Sequence, residues 1–378
     1  MAANTTSYAL PAPAAGFKIV VALSLLGAGA ALYRFAVGLG ASTHLSDHVP
    51  WGLWIGVDVL AGVALAAGGF TIAAAVYIFN MKKYKAITRP AILTAFIGYT
   101  AVVIGLFIDI GKPMAFWHPI VMWNIRSVMF EVVWCITLYS VVLFLEFAPV
   151  FLERWNMLRL RRILTFFTYP VVILGIMLSF LHQSSLGGVF LIMPHKIPVL
   201  WYTANMPYMF FLSAVALGLA TVSLESILSA RTFRRPQENE ILQGLARGVR
   251  ITLVIYLALK LGDLAYRGAL PAIFSSGKAS LFFLIEVLLG VVVPIVLYSL
   301  PAIRKSVNGL LLAASCVIAG TVLNRLNVNF FAQAGERTSY FPSIVEILVT
   351  VGLVAFMILL YRLAVTYLPV FQPEGAQH

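Results

Sequence analysis

The chain has 378 residues, of which 61% are hydrophobic and only 11% charged, with a mean hydropathy of +0.95. A water-soluble fold of this length needs far more polar surface, so composition points to a polytopic membrane protein and excludes a soluble enzyme. The net charge of +12 sits in short basic clusters between apolar runs, which fits topology signals better than a nucleic-acid surface.

Ten apolar runs of roughly 20 residues are each long enough to cross the hydrocarbon core as a helix. They are expected at about 17–39, 52–79, 90–110, 120–150, 162–181, 204–229, 246–264, 280–299, 304–325 and 342–367. The fold class is therefore all-α, one integral membrane domain over residues 1–378, with no repeat, soluble insertion or low-complexity linker. Lys18 ahead of the first run mimics a signal-peptide start, but Arg34 and the loop charges beyond favour a retained first helix.

Loops after even-numbered helices hold the basic clusters: Lys82, Lys83, Lys85 and Arg89; Arg154, Arg159, Arg161 and Arg162; Arg231, Arg234, Arg235, Arg247 and Arg250; Arg304 and Lys305. By the positive-inside rule these loops and both termini face the cytoplasm. The outer loops, 40–51, 111–119, 182–203, 265–279 and 326–341, are rich in aromatics, Pro and Gly. Trp51, Trp117, Trp123 and Trp201 fit an interfacial belt.

The stretch 47–62, DHVPWGLWIGVDVLAG, places Asp58 two turns inside the second helix, roughly 10 Å beyond Trp51 at about 1.5 Å per residue. An ionisable group there is costly in lipid and marks a functional candidate. Asp109 closes helix 3, Arg126 and Glu131 lie in the outer half of helix 4, and Glu286, Arg325 and Glu346 lie in the outer halves of helices 8 to 10. Lys260 and Asp263, at i and i+3, are expected to pair within helix 7, and Asp109 with Arg126 between helices; such pairs are more often structural than functional. The inner half offers mainly Glu146 and Glu225. His44, His48, His118, His182 and His195 fall in or beside outer loops, and His378 is terminal. The clustering points to an outer-leaflet site that handles protons or a polar head group.

His44 and His48 straddle Asp47 at a metal-like spacing, but in a loop without helical geometry; a loop that contacts a partner is the better reading, and no metal site is expected. Cys135 and Cys316 lie in apolar runs without a CxxC, which rules out an iron–sulfur cluster carried by this chain alone. A b-type haem needs two histidines on facing helices, and no histidine lies in a helix centre. No GxxxxGK[ST] or GxGxxG occurs. A secondary transporter is the rival reading, since buried Asp, Glu and Lys suit one, although the polar set is displaced from the midplane where transporters bind substrate.

Residues 174–211, LGIMLSFLHQSSLGGVFLIMPHKIPVLWYTANMPYMFF, end helix 5 on His182 and Gln183, followed by a Ser-Ser-Leu-Gly-Gly turn. With PWGLWIGVDVLAGVALAAGG (50–69) and VLNRLNV (322–328), this stretch resembles the NrfD/PsrC family of quinone-interacting membrane subunits, in its ten-helix HybB-like branch, over about 17 to 367. The resemblance implies two four-helix bundles, helices 2–5 and 6–9, with helices 1 and 10 outside. It implies menaquinone or ubiquinone bound near the outer face, electrons exchanged with a periplasmic ferredoxin-like [4Fe–4S] subunit, and no haem. A multihaem cytochrome c, a hydrogenase or another oxidoreductase subunit then completes a complex in the prokaryotic inner membrane.

The family's pocket positions correspond here to Asp58 and His182, read as proton relay and carbonyl donor. Gln183, Trp51, Asp109 and His118 are further candidate quinone contacts. A proton path is expected along Glu131, Arg126, Lys260, Asp263, Glu286, Glu146 and Glu225. Gly62, Gly68 and Gly69 are expected to leave room for an isoprenoid tail. His44, Asp47, His48, Lys112, Lys196 and Arg267 form the expected docking surface.

Overall fold

The structure, a computed structural model, describes residues 15–333 and 340–371. Ten helices in it are long and apolar enough to cross a membrane: α1 Gly16–Val37, α2 Trp54–Ile78, α3 Lys82–Asp109, α4 Val128–Arg154, α5 Thr168–Ile192, α6 Met206–Thr232, α7 Asn239–Tyr266, α8 Lys278–Ser299, α9 Val307–Phe331 and α10 Ile344–Tyr367. They make this a multi-pass integral membrane protein. No strand occurs among the described residues, only an isolated bridge between Ser46 and Val49. His378 and part of the expected outer loop 326–341 lie outside the described residues.

The spans agree in number with the apolar runs and differ at their ends. Apolar length reports what fits in lipid, whereas helix ends are set by hydrogen bonding, so α3 starts eight residues ahead of its apolar run and takes in Lys85 and Arg89. In α4, the run expected from 120 begins instead at Val128, where Ser127 caps it by accepting from the Phe130 amide (3.4 Å). Arg126 thus falls outside the span and is exposed. In α5, the Ser-Ser-Leu-Gly-Gly stretch stays helical rather than turning. Ser185 Oγ donates back to the Leu181 carbonyl (2.8 Å), and Gly187 meets the Met206 carbonyl so closely that a Cβ would stand 2.7 Å from its oxygen. His182 and Gln183 therefore lie inside the span, and the expected loop 182–203 shortens to 193–205. α9 likewise continues through Asn327 and Asn329.

α2 and α6 are central. α2 contacts α3, α5, α6 and α9; α6 contacts α5, α7 and α9; α3, α4 and α5 pack in sequence, as do α7, α8 and α9. α1 packs on α10, which also touches α2 and α3. Close crossings rest on paired glycines: a Cβ on Gly27 of α1 would stand 2.5 Å from Gly352 Cα of α10, and one on Gly68 would stand 2.8 Å from the Gly218 carbonyl of α6. Without a hydrophobic drive between helices in lipid, such backbone approach is a main source of their attraction.

Even-numbered spans start at one end of the molecule, called here the Trp51 end, and finish at the Arg89 end. α2 is irregular, with wide π turns over Trp54–Ala61 and Ala74–Ile78. Such turns re-aim side chains and recur at functional sites.

Candidate functional site

Three polar neighbourhoods lie among the spans. The first surrounds Asp58, carried by the π-helical start of α2. Its Oδ2 accepts from Thr350 Oγ1 of α10 (2.9 Å). Gly105 of α3 makes room for it, since a Cβ there would stand 3.2 Å from Asp58 Cβ. Asp109 lies within electrostatic reach of Asp58, Glu346 and Arg34. Arg34, buried in α1, donates to the Ile110 carbonyl (2.7 Å). Arg34, not the exposed Arg126, is thus the cation that acts on Asp109, because α1 packs beside the end of α3.

Glu346, fully buried, closes this corner. It completes the capping box of α10 with Ser343, and accepts from the His44 amide (3.2 Å) and the Tyr340 hydroxyl. Burial, together with the Glu346 carboxylate it bonds, pushes the Tyr340 phenol well above its ordinary range.

A long cavity of about 590 Å³ runs from Asp58 toward the Arg89 end, between the α1–α10 pair and α2, α3 and α6. Its wall is mostly apolar, from Val57, Gly62 and Ala101 down to Phe17 and Phe233, with Asp58 toward the Trp51 end and Glu225 toward the other. Glu225 accepts from Tyr361. Of the glycines expected to leave room, Gly62 lines this cavity. Gly68 and Gly69 are taken up in packing on α6 and α3, where a Cβ would meet Val222, Gly218 and Ala95.

The second neighbourhood is on α5. His182 is fully buried; its Nδ1 shares a hydrogen bond with Tyr99 OH of α3 (2.9 Å), while Nε2 has no partner. Gln183 Nε2 donates to the Val63 carbonyl of α2 (3.0 Å), leaving Oε1 without one. Tyr99 stacks edge-on against Tyr139 of α4, ring centroids 4.6 Å apart. One turn on, Ser185 donates to Glu131 (2.5 Å). Trp51 packs edge-on against Phe190 (6.0 Å). Asp58 and His182 therefore have separate partners: one faces α3 and α10, the other Tyr99 of α3.

The third neighbourhood joins α6 to α9. Lys260 pairs with Glu286 (2.7 Å), not with Asp263. Glu286 also accepts from Asn324 (2.7 Å), Trp201 Nε1 (2.8 Å) and Asn327 (2.9 Å), so both oxygens carry two donors. Asp263 accepts from Thr203 (2.6 Å) and Asn205 (2.9 Å) and pairs with Arg267 (2.7 Å). The i, i+3 spacing misled because each side chain reaches a better-placed donor or acceptor on another element. Arg325 donates to Asn324 (2.7 Å), Ser213 (2.8 Å) and the Phe210 carbonyl (3.1 Å), with its guanidinium 3.7 Å from the Phe210 ring centre.

The remaining candidates are scattered. His118 is exposed on a short helix, His118–Val121, against Trp117. Glu146 of α4 faces a small cavity with Tyr77, Pro149 and Thr168 near the Arg89 end. Among the described residues, no three of His, Cys, Asp and Glu converge as metal ligands would. Sequence reasoning missed Tyr99, Thr350, Tyr361 and Arg34. A hydroxyl on an aromatic inside an apolar helix is a weak signal, whereas the asparagines of the NRLNVN stretch (324–329) are a stronger one.

A family model described as "Polysulphide reductase, NrfD" matches residues 41–334. The chain is 33% identical over 350 residues to a probable Ni/Fe-hydrogenase 2 b-type cytochrome subunit of Escherichia coli, covering 90% of this chain and 88% of that protein. It is 30% identical over 376 residues to the integral membrane subunit of a menaquinone reductase of Nitratidesulfovibrio vulgaris, covering 91% and 89%. An Hdr-like menaquinol oxidoreductase integral membrane subunit of Archaeoglobus fulgidus is 25% identical over 374 residues, covering 92% and 91%.

Proposed function

The chain belongs to the NrfD family, and from that premise we propose that it is the membrane subunit of a respiratory oxidoreductase complex that binds menaquinone or ubiquinone. The observation that carries this reading is the long apolar cavity with a buried carboxylate, Asp58, near its Trp51 end. An isoprenoid chain is apolar and extended, so it suits such a wall, while the ring needs hydrogen-bonding and titratable groups.

A bound quinone supplies two-electron, two-proton chemistry at its two carbonyl oxygens. Asp58 is held by Thr350 and offers a carboxylate for proton exchange beside the ring. His182 Nε2 and Gln183 Oε1 are buried without partners, which is costly unless a ligand or water completes them. A ligand hydroxyl would donate to Gln183 Oε1, and a ligand carbonyl would accept from His182 Nε2 when that nitrogen carries the proton. His182 is the one histidine within a span among the described residues, so a haem held by two histidines across the helices lacks its second donor.

In this reading the Trp51 end faces the periplasm, as the basic loops at the Arg89 end argue. A ferredoxin-like [4Fe–4S] subunit docks there and supplies or takes the electrons. Two of the relatives, a menaquinone reductase subunit and a menaquinol oxidoreductase subunit, support quinone as the substrate class. Acids near both ends, buried Asp58 with half-buried Asp109 and Glu131 against half-buried Glu146 and Glu225, suit proton handling, and energy coupling would follow if they connect.

The test is organic extraction of the complex purified in mild detergent, with a reduced-minus-oxidised spectrum of the separated subunit. Bound quinone without b-type absorption is the expected result. A b-type spectrum overturns the haem-free reading, and absence of quinone overturns the reading as a whole.

A further inference from the structure

Between α4 and α5 runs a nine-residue helix, Leu158–Phe166, that crosses nothing. Its sequence, LRLRRILTF, alternates basic and apolar residues. Because the helices on either side both span the membrane, this segment lies at the bilayer surface at the Arg89 end.

Charge accounting sets it apart. Glu153, the acid beside it, pairs with both Arg89 (2.9 Å) and Arg161 (3.2 Å). Arg154, Arg159 and Arg162 are then left exposed, with no acidic partner among the described residues. Two other cations at this end are better satisfied: Arg231 bonds Asn308 (2.5 Å), and Arg235 pairs with Glu238 (3.7 Å) and stacks on Phe371. Arg159 and Arg162, three residues apart, lie on one side of the helix, where Cβ atoms at that spacing stand about 5–6 Å apart. Leu160, Ile163 and Phe166 are 43%, 55% and 78% exposed. Leu164 turns inward and covers the small cavity that holds Glu146.

A surface helix with exposed apolar side chains and unpaired arginines is built to lie in the headgroup layer, with its apolar residues among the acyl chains and its cations on lipid phosphates. We propose that Arg159 and Arg162 bind the phosphate of an anionic phospholipid and so fix this helix to the membrane surface. The guanidinium forks match phosphate oxygens in charge and geometry.

Native mass spectrometry of the purified protein, titrated with phosphatidylglycerol, tests this, with phosphatidylcholine and inorganic phosphate as parallel arms. Phosphatidylglycerol is expected to be retained over phosphatidylcholine. The double variant Arg159→Gln/Arg162→Gln should bind it about 30-fold more weakly, at about 1 kcal/mol for each basic side chain. Arg159→Lys/Arg162→Lys, which keeps the charge but not the fork, should fall between wild type and the glutamine pair, and Arg247→Gln/Lys305→Gln, which removes two other exposed cations, should leave binding unchanged. Unchanged binding in Arg159→Gln/Arg162→Gln overturns the proposal, as does equal loss in both glutamine pairs. Inorganic phosphate that occupies the site as tightly as the lipid also overturns it. Loss of a co-purifying subunit from the arginine variant, with lipid binding intact, assigns the surface to a protein instead.

Discussion

The network around Glu286 and the neighbourhoods of Asp58 and His182 are built from the same kinds of residue, buried acids, a buried cation and amides, yet they end in opposite states. Glu286 has four donors on its two oxygens, from α7, α9 and the segment before α6. Asp58 has a single hydroxyl, and His182 and Gln183 each keep a buried atom with no partner. A saturated network holds helices in register. An unsaturated one is where a ligand gains most, because it completes bonds the protein leaves open; of these groups, Asp58 lines the long cavity.

Mutations should separate the two. The largest effect is expected for Glu286→Gln, which leaves Lys260 buried without its counter-charge at a cost of about 3–5 kcal/mol. Thermal melts and yield should fall sharply, and Lys260→Met/Glu286→Leu should recover part of the loss. Recovery stays partial because Trp201, Asn324 and Asn327 lose their acceptor. A Glu286→Gln protein as stable as wild type would remove the structural role.

Asp58→Asn should assemble and melt near normally but lower quinone turnover by about 100-fold, the lower range for a lost proton-transfer group. Normal turnover would take Asp58 out of the chemistry. His182→Ala is expected to weaken a quinone-site inhibitor about tenfold, the equivalent of one hydrogen bond to a buried group. Unchanged inhibitor binding, measured by titration of activity, would move the ring away from α5.

Ile358→Trp narrows the cavity from its half-open side on α10. It should raise KM roughly fivefold for a long-tailed quinone while barely changing that for a short-tailed one, since only the tail loses its apolar contact. Equal KM changes for both would remove the cavity from the tail's path. The smallest effect is expected for Asp263→Asn, about 1 kcal/mol in a melt. Thr203 and Asn205 keep an acceptor there, and only the part-exposed pair with Arg267 is lost.

The site was half legible in the sequence. Asp58 stands out because a carboxylate inside an apolar run has few structural excuses, and His182 because it is the polar punctuation of its run. Tyr99 and Thr350, which bond them, carry no comparable signal: a tyrosine or threonine in a membrane helix is commonplace. The Ser-Ser-Leu-Gly-Gly stretch misled for a related reason. Its residues favour turns in water, but inside the bundle Ser185 bonds back to its own helix and Gly187 receives a neighbouring backbone.

What the chain alone dictates is the set of ten spans, since about 20 apolar residues per crossing is a property of each segment and the bilayer. The concentration of acids and histidines toward one end and of basic clusters toward the other is equally local. Which residue meets which was decided only by packing. Lys260 meets Glu286 rather than Asp263, Asp109 lies near Arg34 rather than Arg126, and the cavity opens beside Gly62 rather than Gly68. Each outcome depends on how close two helices come and how they are rotated, and that is fixed by glycine contacts and side-chain volumes far apart in the chain.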